Sequence, residues 1–451
     1  MNGIFRYAKG VAASLIIAAV GFAGNYAQSW LFRGVEGPLP RSTAVLSGNF
    51  ALSGHSSSPQ RSTIPARAAE WRIAFVTNRL DAVADSATTA STATSLNGRT
   101  LSEQTVDAIC AMPPSTHGFS EVTVPFRRRR GECVVGASAE SQLQVRPLKR
   151  RGKADFYSSL QTAIDEAESK DILVFVHGFN VSLDNAIARA AQLAEDMPFH
   201  GVVIAFSWQS HAKTTEYLSD ERLAERYFWN LAELLAELRN QFDDSVRLNV
   251  LAHSMGNRVA LRAISALTGN IDPTGQPTDR LQLASLNRRF AAGQGFPLGR
   301  SDADGRFNSV VGPRMQDFQT RFPAWRSWSA DRTETSPISN LILAAPDVAQ
   351  SEFKTFINHI RHAASNIVLI TSDTDYALKA SRKIHNGRYR AGDSQAALNI
   401  EGVNTIRVTG VHSLDHLGHS HYGSNVQVLD RLAAYLRPTF DVSQSMSAFA
   451  R

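Results

Sequence analysis

The sequence predicts an α/β protein, a mostly parallel sheet covered by helices on both faces. Short apolar runs such as Ile172 to Val176 and Val202 to Phe206 read as strands buried on both sides. They alternate with longer segments of helical periodicity, such as 183–196 and 222–239. A third observation narrows the class: the strand 247–251 passes through Ala252-His253-Ser254-Met255-Gly256 straight into a helical segment.

The chain has 451 residues, of which 43% are hydrophobic and 20% charged. That composition excludes a disordered chain, a collagen-like repeat and a coiled-coil rod. Only one stretch, near the N-terminus, is apolar enough to meet a bilayer, which excludes a polytopic channel or transporter. Arg6 and Lys9 precede thirteen small or apolar residues, Val11 to Ala23. This layout predicts a signal peptide or an uncleaved membrane anchor over 1–32, with the body exported, either periplasmic or held at the inner membrane and facing outward. Residues 33–70, rich in Ser, Gly, Pro, Arg and Thr, read as a flexible linker. In an oxidising compartment the two cysteines, Cys110 and Cys133, would close one loop worth on the order of 3 kcal/mol, against the alternative of two free thiols.

The folded domain is expected over 71–437. Its first strands, at 71–77, 121–125, 133–135 and 142–145, should pair antiparallel. From residue 155 the pattern becomes helix then strand: a helix at 156–168, strand 172–176, helix 183–196 and strand 202–206. A single helix at 222–239 follows, placing Leu223, Tyr227, Leu231, Leu234 and Leu238 on one face. Strand 247–251 and a helix at 255–267 come next. The pattern then breaks over 268–337, a long insertion before the sixth strand, read as a cap over the sheet edge or an excursion without structure of its own. Strands at 341–345, 367–371 and 405–408, with a helix between the first two, lead to a last helix at 425–436 and a tail at 438–451.

Charge is concentrated rather than spread. Residues 121–153 hold nine basic and three acidic residues, including Arg127 to Arg130, and the rest of the chain is balanced. Such a run is a solvated face or a contact for an anionic membrane surface. No base-stacking aromatic pattern or recognition helix accompanies it, so nucleic acid is not expected as a partner.

The strand-serine-helix junction is a nucleophile elbow of the form that α/β-hydrolases carry, with Ala252 where Gly is usual and Gly256 at the second small position. The backbone N–H of Met255 then faces a developing oxyanion. His177-Gly178-Phe179-Asn180, directly after a buried strand, is positioned to supply the second donor from the Phe179 N–H, with His177 itself satisfying backbone groups under the loop. An acid and a base should follow in chain order. Asp347, Asp373 and Asp375 follow the sixth and seventh strands, and His412, His416, His419 and His421 crowd the segment before the last helix.

The chain resembles the bacterial α/β-hydrolase family catalogued as domain of unknown function nine hundred, within the serine-hydrolase superfamily. The resemblance lies in R-I-A-F-V-T-N-R at 72–79, V-T-V-P-F with Arg-Gly-Glu over 122–132, V-F-V-H-G-F-N at 174–180, L-A-H-S-M-G-N at 251–257, A-A-P-D-V at 344–348, S-D-T-D-Y-A-L at 372–378 and L-G-H-S at 417–420. It implies an α/β-hydrolase fold and a triad of Ser254, Asp375 and His419. The motifs favour Asp375 over Asp373 and Asp347, and His419, which follows Gly418, over His421. The 268–337 insertion and the exported N-terminus depart from the family pattern.

The expected activity is a serine hydrolase, esterase or lipase-like, that cleaves a small-molecule or lipid acyl ester without a cofactor. The competing expectations are a metallohydrolase built on the four clustered histidines, and a non-catalytic envelope binding module on a hydrolase fold.

Overall fold

The computed structural model describes residues 68–79, 114–136, 141–268, 336–395, 398–409 and 417–437. The N-terminal segment 1–32, most of the 33–70 linker, nearly all of the 268–337 insertion, the 438–451 tail, Cys110, His412 and His416 lie outside the described residues. Among the described residues no helix is long and apolar enough to cross a membrane.

The elements in chain order are β1 (Ala69–Thr77), β2 (Thr116–Val124), β3 (Gln144–Val145), β4 (Lys149–Arg151), α1 (Lys153–Glu166), β5 (Asp171–Val176), α2 (Leu183–Asp196) and β6 (Val202–Ser207). Then come α3 (Tyr217–Arg226), α4 (Phe228–Gln241), β7 (Arg247–His253), α5 (Gly256–Leu267) and β8 (Ile338–Ala344). The last are α6 (Gln350–Ile360), β9 (Ala364–Ser372), α7 (Tyr376–Ile384), β10 (Val403–Val408), α8 (His421–Ser424) and α9 (Val426–Leu436). One sheet runs β10-β9-β8-β7-β5-β6-β1-β2-β3, with β4 also on β2. From β10 to β1 every pairing is parallel, and β2 pairs antiparallel with β1, β3 and β4.

Alternate residues of each central strand enter opposite layers, as the pleat requires. Val174, Val176, Ile204, Phe206 and Val250 join the layer closed by α1 and α3 to α6. Leu173, Phe175, Val203, Ala205 and Leu251 join the layer under α2 and α9. Both faces are therefore buried, which explains why these strands read as unbroken apolar runs.

Several expected elements differ. The strand expected from residue 71 begins at Ala69, inside the segment read as linker, and β1 is parallel to β6 as well as antiparallel to β2. The expected strand at 121–125 is the second half of β2, and 133–135 contributes only a bridge from Val135 to Leu143. β4 was not expected, because an edge strand reading Lys-Arg-Arg shows no apolar alternation. The helix expected at 222–239 is two helices that part at Tyr227 (φ −93°, ψ 10°). Apolar spacing continues across the break, so periodicity reports the buried face but not the turn of the axis. A helix at α7 was also not expected. Cys133 is partly buried and packs against the α2–α9 layer, where burial pushes its thiol pKa up.

Basic residues in the 121–153 run mostly meet acids. Arg128 pairs with Asp196 (2.5 Å), Arg130 with Asp430 (2.7 Å), Lys149 with Glu121 (2.7 Å) and Lys153 with Glu233 and Glu237. Arg128 and Asp196 are both buried, and Asp196 also accepts from the Gly131 N–H at 2.8 Å.

Candidate active site

Ser254 follows the last residue of β7 and sits at φ +54°, a left-handed conformation that a non-glycine residue adopts at a cost on the order of 1 kcal/mol or more. Its surroundings fix that turn. The Ser254 N–H donates to Ala344 O at 2.9 Å, and Asn257 Nδ2 donates to both Ser254 O (2.9 Å) and Ala344 O (3.1 Å). A Cβ at Gly256 would lie 2.3 Å from His177 O and 2.8 Å from Val176 O, so only glycine lets the start of α5 close against the end of β5. The elbow thus belongs to β7, β8 and β5 together.

The His177-Gly178-Phe179-Asn180 turn lies directly against the serine. A Cβ at Gly178 would be 2.9 Å from Ser254 Cβ, and Asn180 takes φ +58°, a conformation Asn tolerates. Burial holds His177 neutral, its pKa lowered to about 3. Its Nδ1–H therefore donates to Gly178 O at 2.8 Å and its Nε2 accepts from the Ser207 hydroxyl at 3.1 Å. The expected role under the loop is thus shared between a backbone and a side-chain partner. Trp208 stacks on the ring, with centroids 5.2 Å apart, and donates its Nε1–H to His177 O at 2.7 Å. Among the described residues neither the Phe179 N–H nor the Met255 N–H donates to a protein carbonyl.

His419 Nε2 lies 2.7 Å from Ser254 Oγ, and His419 Nδ1 lies 2.7 Å from Asp375 Oδ2. Asp375 is buried and its other oxygen accepts the Leu378 N–H at 2.9 Å, which makes it the N-cap of α7. The carboxylate is held by a helix start rather than by an open loop. Gly418 (φ +63°) brings the histidine to it: a Cβ there would lie 2.4 Å from Thr374 O, and the Tyr376 N–H donates to Leu417 O at 2.8 Å.

The other candidates stand elsewhere. Asp347 is buried and accepts from Arg390 Nε (2.8 Å), Ser381 Oγ (2.5 Å) and the Tyr217 hydroxyl. Asp373 lies in the turn after β9, its N–H donating to Val408 O. His421 opens α8, buried, with Nε2 3.4 Å from Thr374 Oγ1. Both ring nitrogens of His419 are engaged, Nε2 by Ser254 and Nδ1 by Asp375.

Two contributors were not foreseen. His253, noted in sequence only as the neighbour of the serine, is kept neutral by burial and by the nearby His419. Its Nε2 donates to the His419 carbonyl at 3.1 Å and its ring lies 4.3 Å from that of Tyr422. It therefore anchors the backbone of the histidine that meets the serine. Arg79, at the end of the R-I-A-F-V-T-N-R motif, donates to Val181 O (3.0 Å) and Ser210 O (2.7 Å) and so ties together the loops after β5 and β6. The signal for His253 was its place in the elbow motif; for Arg79 no spacing in the chain brings residues 79, 181 and 210 together.

A parallel sheet whose strand-to-helix turn presents a serine to a histidine backed by a buried carboxylate defines the α/β-hydrolase class. The chain belongs to the family described as "Alpha/beta hydrolase of unknown function (DUF900)", which matches residues 152–435. Solved structures to which it is similar include an esterase from Pyrobaculum calidifontis in a monoclinic form, 10% identical, covering 73% of this chain and 81% of that one at a TM-score of 0.27. Est1E from Butyrivibrio proteoclasticus is 11% identical, covering 63% of this chain and 90% of that one at a TM-score of 0.25. A truncated carbohydrate esterase from gut microbiota is 11% identical, covering 60% and 86% at a TM-score of 0.25. No curated protein matches the chain in sequence.

Proposed function

We propose that the protein is a serine hydrolase that cleaves acyl esters through Ser254, His419 and Asp375. The single observation that carries the reading is the continuous pair of 2.7 Å contacts from Ser254 Oγ to His419 Nε2 and from His419 Nδ1 to Asp375 Oδ2. Ser254 Oγ attacks the ester carbonyl while its proton passes to His419 Nε2. The Asp375 carboxylate faces the imidazolium that forms, and the Met255 and Phe179 N–H groups receive the oxyanion. The Nε2 proton then goes to the leaving alkoxide, giving an acyl-serine and an alcohol. Water, deprotonated by His419, releases the acid and restores the serine. No step calls for a cofactor.

A fluorophosphonate probe, which reacts with activated serines, should label the wild-type protein at Ser254, and Ser254→Ala should lose both labelling and hydrolysis across a panel of acyl esters of increasing chain length. Wild-type labelling of Ser254→Ala would overturn the assignment.

A further inference from the structure

The residues just beyond Asp375 form a surface of unusual charge. From Tyr376 to Tyr389 the chain carries Lys379, Arg382, Lys383 and Arg388 and no acidic residue. Among the described residues none of these four cations makes an ion pair, whereas Arg128, Arg130, Lys149 and Lys153 of the more basic 121–153 run all do. Tyr376, Lys379 and Lys383 fall on one face of α7 at helical spacing, while Leu378 and Ser381 turn inward. Tyr376 and Tyr389 are 52% and 36% exposed, high for aromatic rings. Each lies beneath a cation, Lys379 Nζ 4.7 Å from the Tyr376 ring centroid and the Arg382 guanidinium 3.5 Å from that of Tyr389. Exposed tyrosines beside Lys and Arg without ion pairs, on one short amphipathic helix and the turn that follows it, are the composition that settles at a lipid headgroup layer, the rings at the apolar boundary and the cations at phosphate.

We propose that the 376–389 surface docks the protein on an anionic phospholipid bilayer. Asp375 is the N-cap of this helix, and the Tyr376 N–H is bonded to Leu417, two residues before His419. Docking here brings the serine's histidine and carboxylate to the membrane face, where a lipid ester would be presented. The proposal goes beyond the hydrolase reading, and its test reads binding without activity, so either can fail alone.

The test uses the full chain with phosphatidylcholine vesicles, with and without phosphatidylglycerol, and reads lysine acetylation by mass spectrometry. Lys379 and Lys383, which follow the C-terminal end of β9, should be protected only by the anionic vesicles, while Lys170, exposed and just before the N-terminal end of β5, should react equally throughout. Unchanged reactivity of Lys379 and Lys383, equal protection by neutral vesicles, or protection by inorganic phosphate alone would each overturn the proposal. Replacing Lys379, Arg382, Lys383 and Arg388 together by Gln should weaken partition onto anionic vesicles at least about tenfold, since each cation adds to attraction by the surface potential. Wild-type partition by a folded quadruple variant would overturn it as well, and the wild-type footprint decides the matter if that variant does not fold.

Discussion

Asp375→Asn separates the two tasks of one side chain. Oδ1 caps α7 by accepting the Leu378 N–H at 2.9 Å, and Oδ2 meets His419 Nδ1 at 2.7 Å. Asn caps a helix about as well as Asp, so the variant should lose less than about 1 kcal/mol of stability. It loses the charge facing the imidazolium. Two unit charges about 4 Å apart at an effective dielectric of about 20 attract by about 4 kcal/mol, which at about 1.4 kcal/mol per decade is close to a thousandfold in kcat. The Asn amide also offers a donor where the Nδ1–H needs an acceptor, which turns the ring toward the wrong tautomer. The assay is steady-state hydrolysis of any ester the wild type turns over, with kcat and KM resolved and thermal unfolding measured alongside. The expected result is a fall in kcat of about three decades, a nearly unchanged KM and a melting temperature close to wild type. A fall smaller than about tenfold in a folded protein would refute the role of the charge, and a collapse of stability would show that the cap, not the chemistry, is what the carboxylate supplies.

Gly256→Ala should cost about 1–3 kcal/mol and most of the activity, because its methyl would meet His177 O at 2.3 Å and push the elbow from β5; wild-type turnover in this variant would contradict that geometry. His419→Ala should abolish hydrolysis and His421→Ala should leave measurable turnover, since only the former ring reaches Ser254; the reverse order of losses would reassign the base. Burial alone would raise the pKa of Asp347, but Arg390 and Arg258 outweigh it, helped by the hydroxyls of Ser381 and Tyr217, and hold the carboxyl below the usual carboxylate range. The unfolded chain therefore binds the proton first as pH falls below 3.8, so the stability this group contributes is present above that value and lost as pH drops through the folded pKa. Asp347→Asn should be less stable by about 3 kcal/mol at pH 7, because it strands Arg390, with the gap to wild type narrowing below pH 3.8 in urea melts; a constant gap would refute the linkage.

What the chain determined by itself was whatever short spacing encodes. Buried parallel strands announce themselves as continuous apolar runs, the elbow as a serine between a strand and a helix with glycine two residues on, and the His-Gly turn by its position directly after a buried strand. These are local statements, and the elements 172–176, 202–206 and 256–267 lie where they were expected. The residue pattern alone left three aspartates and four histidines as candidates, because the contacts from Ser254 to His419 and from His419 to Asp375 span gaps of 165 and 44 residues that no periodicity bridges. Of these, the tertiary structure brings Asp375 and His419 to Ser254, while His412 and His416 lie outside the described residues. Gly418 lets its loop touch Thr374, Asp375 is turned inward by capping a helix that a run of Lys, Ser and Arg had disguised, and Asp347 is consumed by Arg390, Ser381 and Tyr217. The same separation governs charge. A run of arginines in sequence says nothing of the acids that folding brings to it: Arg128, Arg130, Arg146, Lys149 and Lys153 of the basic 121–153 segment meet acids, while the four cations of 376–389 that make no ion pair among the described residues become conspicuous only once their neighbours in space are known.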